Sequence, residues 1–139
     1  MPLTAGMGAR SATLRIGSKH EGGQDLVEYA LIAPIFFLLF LGIIEFSLIV
    51  WRYDTIASVA REGARYGIIP GRTEAQVEAY AATRALGLSP GPAIDATMGS
   101  STVRVDVTYT FDLLTSPIVE AFGGTGTVTL HATSVMNRE

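Results

Sequence analysis

No cysteine occurs among the 139 residues, which excludes a disulfide framework, a thiolate nucleophile and a cysteine-ligated zinc site. Histidine is nearly as scarce. His20 lies in a basic leader and His131 on the polar phase of a late strand, and neither has a second ligand at metal spacing. No serine or threonine sits in a nucleophile-elbow pattern, and the glycines form no phosphate-binding loop. The sequence thus offers no catalytic residue, no metal site and no cofactor site, and reads as a non-enzyme. Positive charge is also in short supply: the net charge is −3, and removing residues 1–23 takes away Arg10, Arg15, Lys19 and Glu21 and leaves −5. Without a basic footprint, nucleic acid is not an expected partner.

Apolar residues are plentiful, at 48% of the chain, and they are concentrated rather than spread. From Tyr29 to Ile44 there is no charge, and beyond Glu45 the run Phe46-Ser47-Leu48-Ile49-Val50 continues to Trp51 and Arg52. As a helix, Tyr29 to Trp51 covers roughly 33 Å, enough for a hydrocarbon core of about 30 Å. Trp51, Arg52 and Tyr53 read as an interfacial belt. Membrane lipid is therefore an expected partner. The length leaves room for one small domain outside the bilayer. Three parts follow: a leader at 1–23, a transmembrane helix at 24–51 and a head at 52–139. Orientation is not set by charge, because Arg10, Arg15 and Lys19 before the span are balanced by Arg52, Arg61, Arg65 and Arg72 after it.

Helical character continues past Arg52 through Ile56, Val59, Ala60, Ala64 and Tyr66, and stops at Ile68-Ile69-Pro70-Gly71. Thr73 with Gln76 is a capping-box pattern, and Val77, Tyr80, Ala81 and Leu86 follow at helical spacing before Gly87. Ser89 to Ser101 reads as a loop. Period two then takes over: Val103, Val105, Val107, Tyr109 and Phe111 alternate with polar residues, as do Val128, Leu130 and Ala132. The connection from Leu113 to Gly124 predicts an omega-like loop between two antiparallel strands. The fold class is α+β, a long N-terminal transmembrane helix extending into a small head with a short helix and an antiparallel β-sheet.

Charged residues in the head, including the pairs Glu74 with Glu78 and Asp106 with Asp112, read as solvated, and Asp95 as an isolated loop acid. The acids of the span are different, because a carboxylate at membrane depth needs a partner. Glu28 falls in the first turns of the helix, where the dipole favours a negative charge. Glu45 lies further along the run, two turns before Arg52 on nearly the same face, so it can lean toward Arg52, snorkel to the outer interface or pair with a basic group of a neighbouring subunit. Pro34 leaves a backbone carbonyl without its donor, and Gly42 is a close-approach point for another helix. Arg61, Glu62 and Arg65 are either a solvated face with an intrahelical Glu62–Arg65 pair or a docking patch that Gly63 and Gly67 let a neighbour approach.

The order of leader, Gly23, four residues, Glu28-Tyr29 and apolar helix resembles the class III signal of type IV prepilins, in the Gly-x-x-x-x-Glu-Tyr form of tight-adherence (Flp) pilins. The stretches EYALIAPIFFLLFLGIIEF and AREGARYG resemble the amino-terminal region of TadE-like pilus assembly proteins, so the likeness covers Gly23 to Gly67. It implies cleavage between Gly23 and Gln24 by a prepilin peptidase, with residues 1–23 on the cytoplasmic side of the inner membrane and the head outside. It also implies a role for Glu28 and Tyr29 in processing or assembly, the acid meeting the amino group of an adjoining subunit, with other pilins and pilus assembly proteins as partners. The leader is longer than in some pilins, Pro34 comes earlier than the proline of classical type IV pilins, and Gln24 replaces their phenylalanine. These departures point to the tight-adherence branch, and the size of the head points to a minor pilin or pseudopilin. The alternative expectation is a single-span, membrane-anchored envelope binding module.

Overall fold

The computed structural model describes residues 21–138. The chain divides into two compact units, Met1–Ile35 and Phe36–Glu139. One helix, α1, runs over Glu21–Gly67 and passes through Pro34 without ending. Its apolar section has almost nothing packed on it: Leu31, Ile32, Ile35, Phe36, Phe37 and Leu38 are all exposed. Such consecutive exposure covers every face of a helix, the opposite of what a soluble core helix displays. α1 is long and apolar enough to cross a membrane.

Within the second unit, α1 is followed by α2 (Glu74–Arg84), β1 (Ala93–Met98), β2 (Thr102–Asp112), α3 (Ser116–Ala121) and β3 (Thr127–Asn137). The strands form one antiparallel sheet in the order β1-β2-β3. Its central strand alternates as expected, with Val103, Val105, Val107, Tyr109 and Phe111 buried and Arg104 and Thr110 exposed. Against that face pack Ile56, Val59, Ala60 and Ala64 of α1 and Val77 and Ala81 of α2. Each large aliphatic residue removed from water in this way is worth about 1.5–3 kcal/mol. The buried phenol of Tyr109 is satisfied by donating to the Ser89 carbonyl at 3.2 Å.

The start of α2 is the expected capping box: Thr73 accepts from the Gln76 N–H and the Gln76 side chain accepts from the Thr73 N–H, both at 3.4 Å. Gly71, at φ 81°, makes the turn between α1 and α2 in the left-handed region that a side chain disfavours. Three details of the head differ from the sequence expectation. The stretch Ser89–Ser101 contains β1, whose inward residues Ile94, Ala96 and Met98 alternate with exposed Ala93, Asp95 and Thr97. The connection after Leu113 holds the helix α3 rather than a structureless loop. Leu86 lies beyond the end of α2 and is exposed, so the apolar stripe of that helix stops at Ala81.

Gly63 and Gly67 serve the interior of the head. A Cβ at Gly63 would stand 3.1 Å from the Ala81 Cβ and 3.3 Å from Val105 Cγ1; one at Gly67 would stand 2.7 Å from Val103 Cγ1. The close approach expected of these glycines is therefore made between α1 and the chain's own α2 and β2.

Candidate processing and assembly surface

The first unit presents the amino-terminal junction. Gly23 and Gln24 both lie within the described part of α1, so the expected cut falls in a helical segment. Gly23 has nothing within 4 Å of where a Cβ would stand, and Gln24 is exposed. The leader residues Arg10, Arg15 and Lys19 lie outside the described residues. Asp25, Glu28, Tyr29 and Ile32, at spacings of three and four, border one shallow depression on the helix surface. Tyr29 is exposed, and among the described residues Glu28 has no ion-pair partner.

In the second unit, Gly42 is exposed, with nothing within 4 Å of an added Cβ. Glu45 is its opposite. It is 8% exposed, the only buried charged residue among those described. Its carboxylate accepts the Thr115 backbone N–H at 3.3 Å and the Thr115 hydroxyl as well. Its partner within the chain is thus not Arg52 but Thr115, the N-cap residue of α3, 70 positions away in sequence. Arg52 instead lies over the Phe111 ring, its guanidinium carbon 3.9 Å from the ring centre. Sequence reasoning missed Thr115 because nothing local distinguishes it from the chain's other threonines.

Arg61 and Arg65 are exposed and Glu62 is half-buried. Glu62 and Arg65 border a surface recess with Tyr66, Ile69 and Tyr80. There the rings of Tyr66 and Tyr80 stack 4.2 Å apart, flanked by Arg72 over Tyr66 at 4.4 Å and Arg84 over Tyr80 at 5.0 Å. The Glu62–Arg65 ion pair is not formed: the pair found among the described residues is Arg104 with Asp106, at 2.7 Å. Arg104 and, next, the Thr133 hydroxyl hold the Asp106 carboxyl below its ordinary pKa.

Two more acids of the head have structural partners. Glu74 accepts the Met98 N–H at 2.8 Å and Glu78 the Ala96 N–H at 3.1 Å. Two carboxylates four residues apart on α2 thus cover alternate N–H groups on the outer edge of β1, correcting the expectation that they are merely solvated. This arrangement closes one edge of the sheet to pairing with another strand. His131 is exposed and meets the Thr108 hydroxyl across the strand pair at 3.0 Å. Among the described residues no group of three or more His, Asp or Glu gathers at a point that could hold a metal.

The chain combines an apolar helix long enough to cross a bilayer with a small α+β head. Within it, residues 23–65 match the family described as TadE-like protein, and the match begins at Gly23 and ends at Arg65. This is the family that the stretches EYALIAPIFFLLFLGIIEF and AREGARYG resemble. No curated protein and no solved structure matches the chain.

Proposed function

We propose that the protein is a non-enzymatic minor pilin or pseudopilin of a tight-adherence pilus. A prepilin peptidase removes residues 1–23 on the cytoplasmic face, and Gln24 becomes the mature amino terminus. The mature subunit is held by α1 in the cytoplasmic membrane with its head outside, where it takes part in pilus assembly. The observation that carries this reading is the junction itself: the TadE-like match opens on Gly23, and Glu28 and Tyr29 follow on an exposed helix face.

Glu28 has the right chemistry for its role. A carboxylate near the end of an apolar helix needs an opposite charge where the dielectric is low, and a newly exposed amino group on an adjoining subunit supplies one. The partners are therefore the prepilin peptidase, other pilins and the lipid around α1. Coexpression with a prepilin peptidase tests the reading by intact mass, with loss of residues 1–23 expected and its prevention by Gly23→Leu. A full-length, unprocessed protein that supports piliation normally would falsify it and leave the membrane-anchored binding module as the better account.

A further inference from the structure

Helix α3 is only six residues long and buries none of them completely. A helix this short does not hold together alone in water. It is fixed by its ends: Thr115 is bound to Glu45 on one side, and Gly124 donates to the Val119 carbonyl at 2.9 Å on the other. What this fixed element presents is apolar. Ile118 on the helix and Leu114 and Phe122 at its two ends are 40%, 60% and 89% exposed.

The level at which this face sits is set by Glu45. One side of α1 is half-covered at Leu41, Leu48 and Ile49 and buried at Glu45, while Ile44 and Phe46 beside them remain exposed. The apolar face of α3 is therefore level with apolar surface that α1 still exposes inside its own membrane-length run. We propose that α3, with Leu114 and Phe122, is a foot that lies in the outer headgroup layer of the bilayer. The outer limit of the hydrocarbon then falls near Glu45 rather than at Trp51.

The polar atoms of the segment agree with that depth. The Phe122 and Gly123 N–H groups are satisfied within the segment, at 3.2 and 2.9 Å, as a poorly hydrated setting demands. Glu120 is exposed and needs water, which the headgroup layer provides and the hydrocarbon does not. An exposed phenylalanine at that boundary gains by entering the lipid. Glu45, buried beneath the foot, is solvated by Thr115 instead of by water.

The inference rests on α1 spanning the membrane, and the experiment separates the two. The chain has no cysteine, so single nitroxide labels can be placed by Phe122→Cys, Ile118→Cys, Phe37→Cys and Ser101→Cys in the full chain without other changes. Ser101 is exposed at the opposite end of the sheet, since β2 runs from Thr102 to Asp112 before α3. In phosphatidylcholine–phosphatidylglycerol vesicles, power saturation should give severalfold higher oxygen-to-nickel accessibility at 118 and 122 than at 101, and the highest ratio at 37. Glu45→Ala should lower the ratio at 122 but not at 37, and Glu45→Gln, which keeps an acceptor, should restore it. A water-like label at 122 with a lipid-exposed label at 37 overturns the foot alone. Dipolar broadening at 122 that disappears on dilution with unlabelled protein also overturns it, by assigning the face to a second copy. A water-exposed label at 37 removes the span itself.

Discussion

Gly67→Ala places one methyl group where α1 lies closest to the sheet. The added carbon would stand 2.7 Å from Val103 Cγ1 and 3.2 Å from Val77 Cγ2, and both valines are fully buried. Carbon atoms prefer separations of about 3.5–4.0 Å, so the overlap with Val103 is roughly 1 Å. Neither valine can swing into solvent. Overpacking of this kind costs about 1–3 kcal/mol, whereas the gain in helix propensity from replacing glycine is at most about 1 kcal/mol. The net expectation is a head destabilised by about 1–2 kcal/mol. For a head of this size that corresponds to a melting temperature lower by roughly 5–15 °C.

Trp51 supplies the readout. It is the chain's single tryptophan, and its Cη2 lies 3.0 Å from where a Gly87 Cβ would stand, so its fluorescence reports whether the head is packed on α1. Urea unfolding of the full chain in nonionic micelles should move to lower denaturant for Gly67→Ala. Gly42→Ala, which meets nothing within 4 Å, should not move it that way. Val103→Ala alone opens a cavity and is destabilising, but in combination with Gly67→Ala the new methyl partly occupies that space. The two changes should couple by about 1 kcal/mol or more in favour of the double variant. A neutral Gly67→Ala whose effect simply adds to that of Val103→Ala would refute the packing argument.

Other outcomes follow from the same structure. Glu74→Ala with Glu78→Ala should speed amide exchange at Ala96 and Met98 about 5- to 30-fold, because each N–H loses a hydrogen bond to a charged group; unchanged exchange rates would mean that the carboxylates do not cover the β1 edge. The pairing of Asp106 with Arg104 depresses its carboxyl pKa in the folded state, so its stabilising effect is present above the unfolded value of about 3.9 and is lost as pH falls through the folded value. Asp106→Asn should therefore lose less stability than the parent between about pH 4 and pH 2, by a small amount because the pair is open to solvent, and an identical acid profile would contradict this. Glu28→Gln should reduce filament formation while leaving membrane insertion intact, measured by piliation against membrane fractionation; equal piliation would remove the charge-pairing role.

Much of the fold was legible because its signals are local. The capping box at Thr73 and Gln76, the stripe from Ile56 to Ala64 and the alternation of β2 each involve residues close in sequence, and each corresponds to an observed element. β1 was hidden because Ala93, Asp95 and Ala96 are poor strand formers set among glycine and proline, and the strand depends on antiparallel pairing with Val103–Thr108 of β2. α3 was hidden for the same reason, a six-residue helix framed by Pro117 and Gly123 whose tether is a distant side chain. The junction at Gly23 was legible as a resemblance to the class III prepilin signal, and the family match opens on the same residue. The partners of Glu45, Glu74 and Glu78 were not, since a carboxylate's sequence context does not reveal which backbone N–H the fold will bring to it.

These partners change how the acids of the chain divide. Glu45 was the more awkward of the two span carboxylates, being embedded in the apolar run, and that made it a candidate for pairing between subunits. Its bonds to Thr115 give it a role inside the subunit, fixing α3 against α1, so intersubunit charge pairing is not needed to explain its burial. Glu74 and Glu78 are likewise occupied at the sheet edge, and Asp106 by Arg104 and Thr133. Gly63 and Gly67, which resembled a docking surface, are filled by Ala81, Val103 and Val105 of the same chain. Exposed on α1 are its apolar section, the face with Asp25, Glu28, Tyr29 and Ile32, the open position at Gly42, and Arg61 and Arg65. On the proposed reading a subunit contact draws on these groups, and Glu28 is the acid for which a neighbour's new amino terminus is the natural counter-charge.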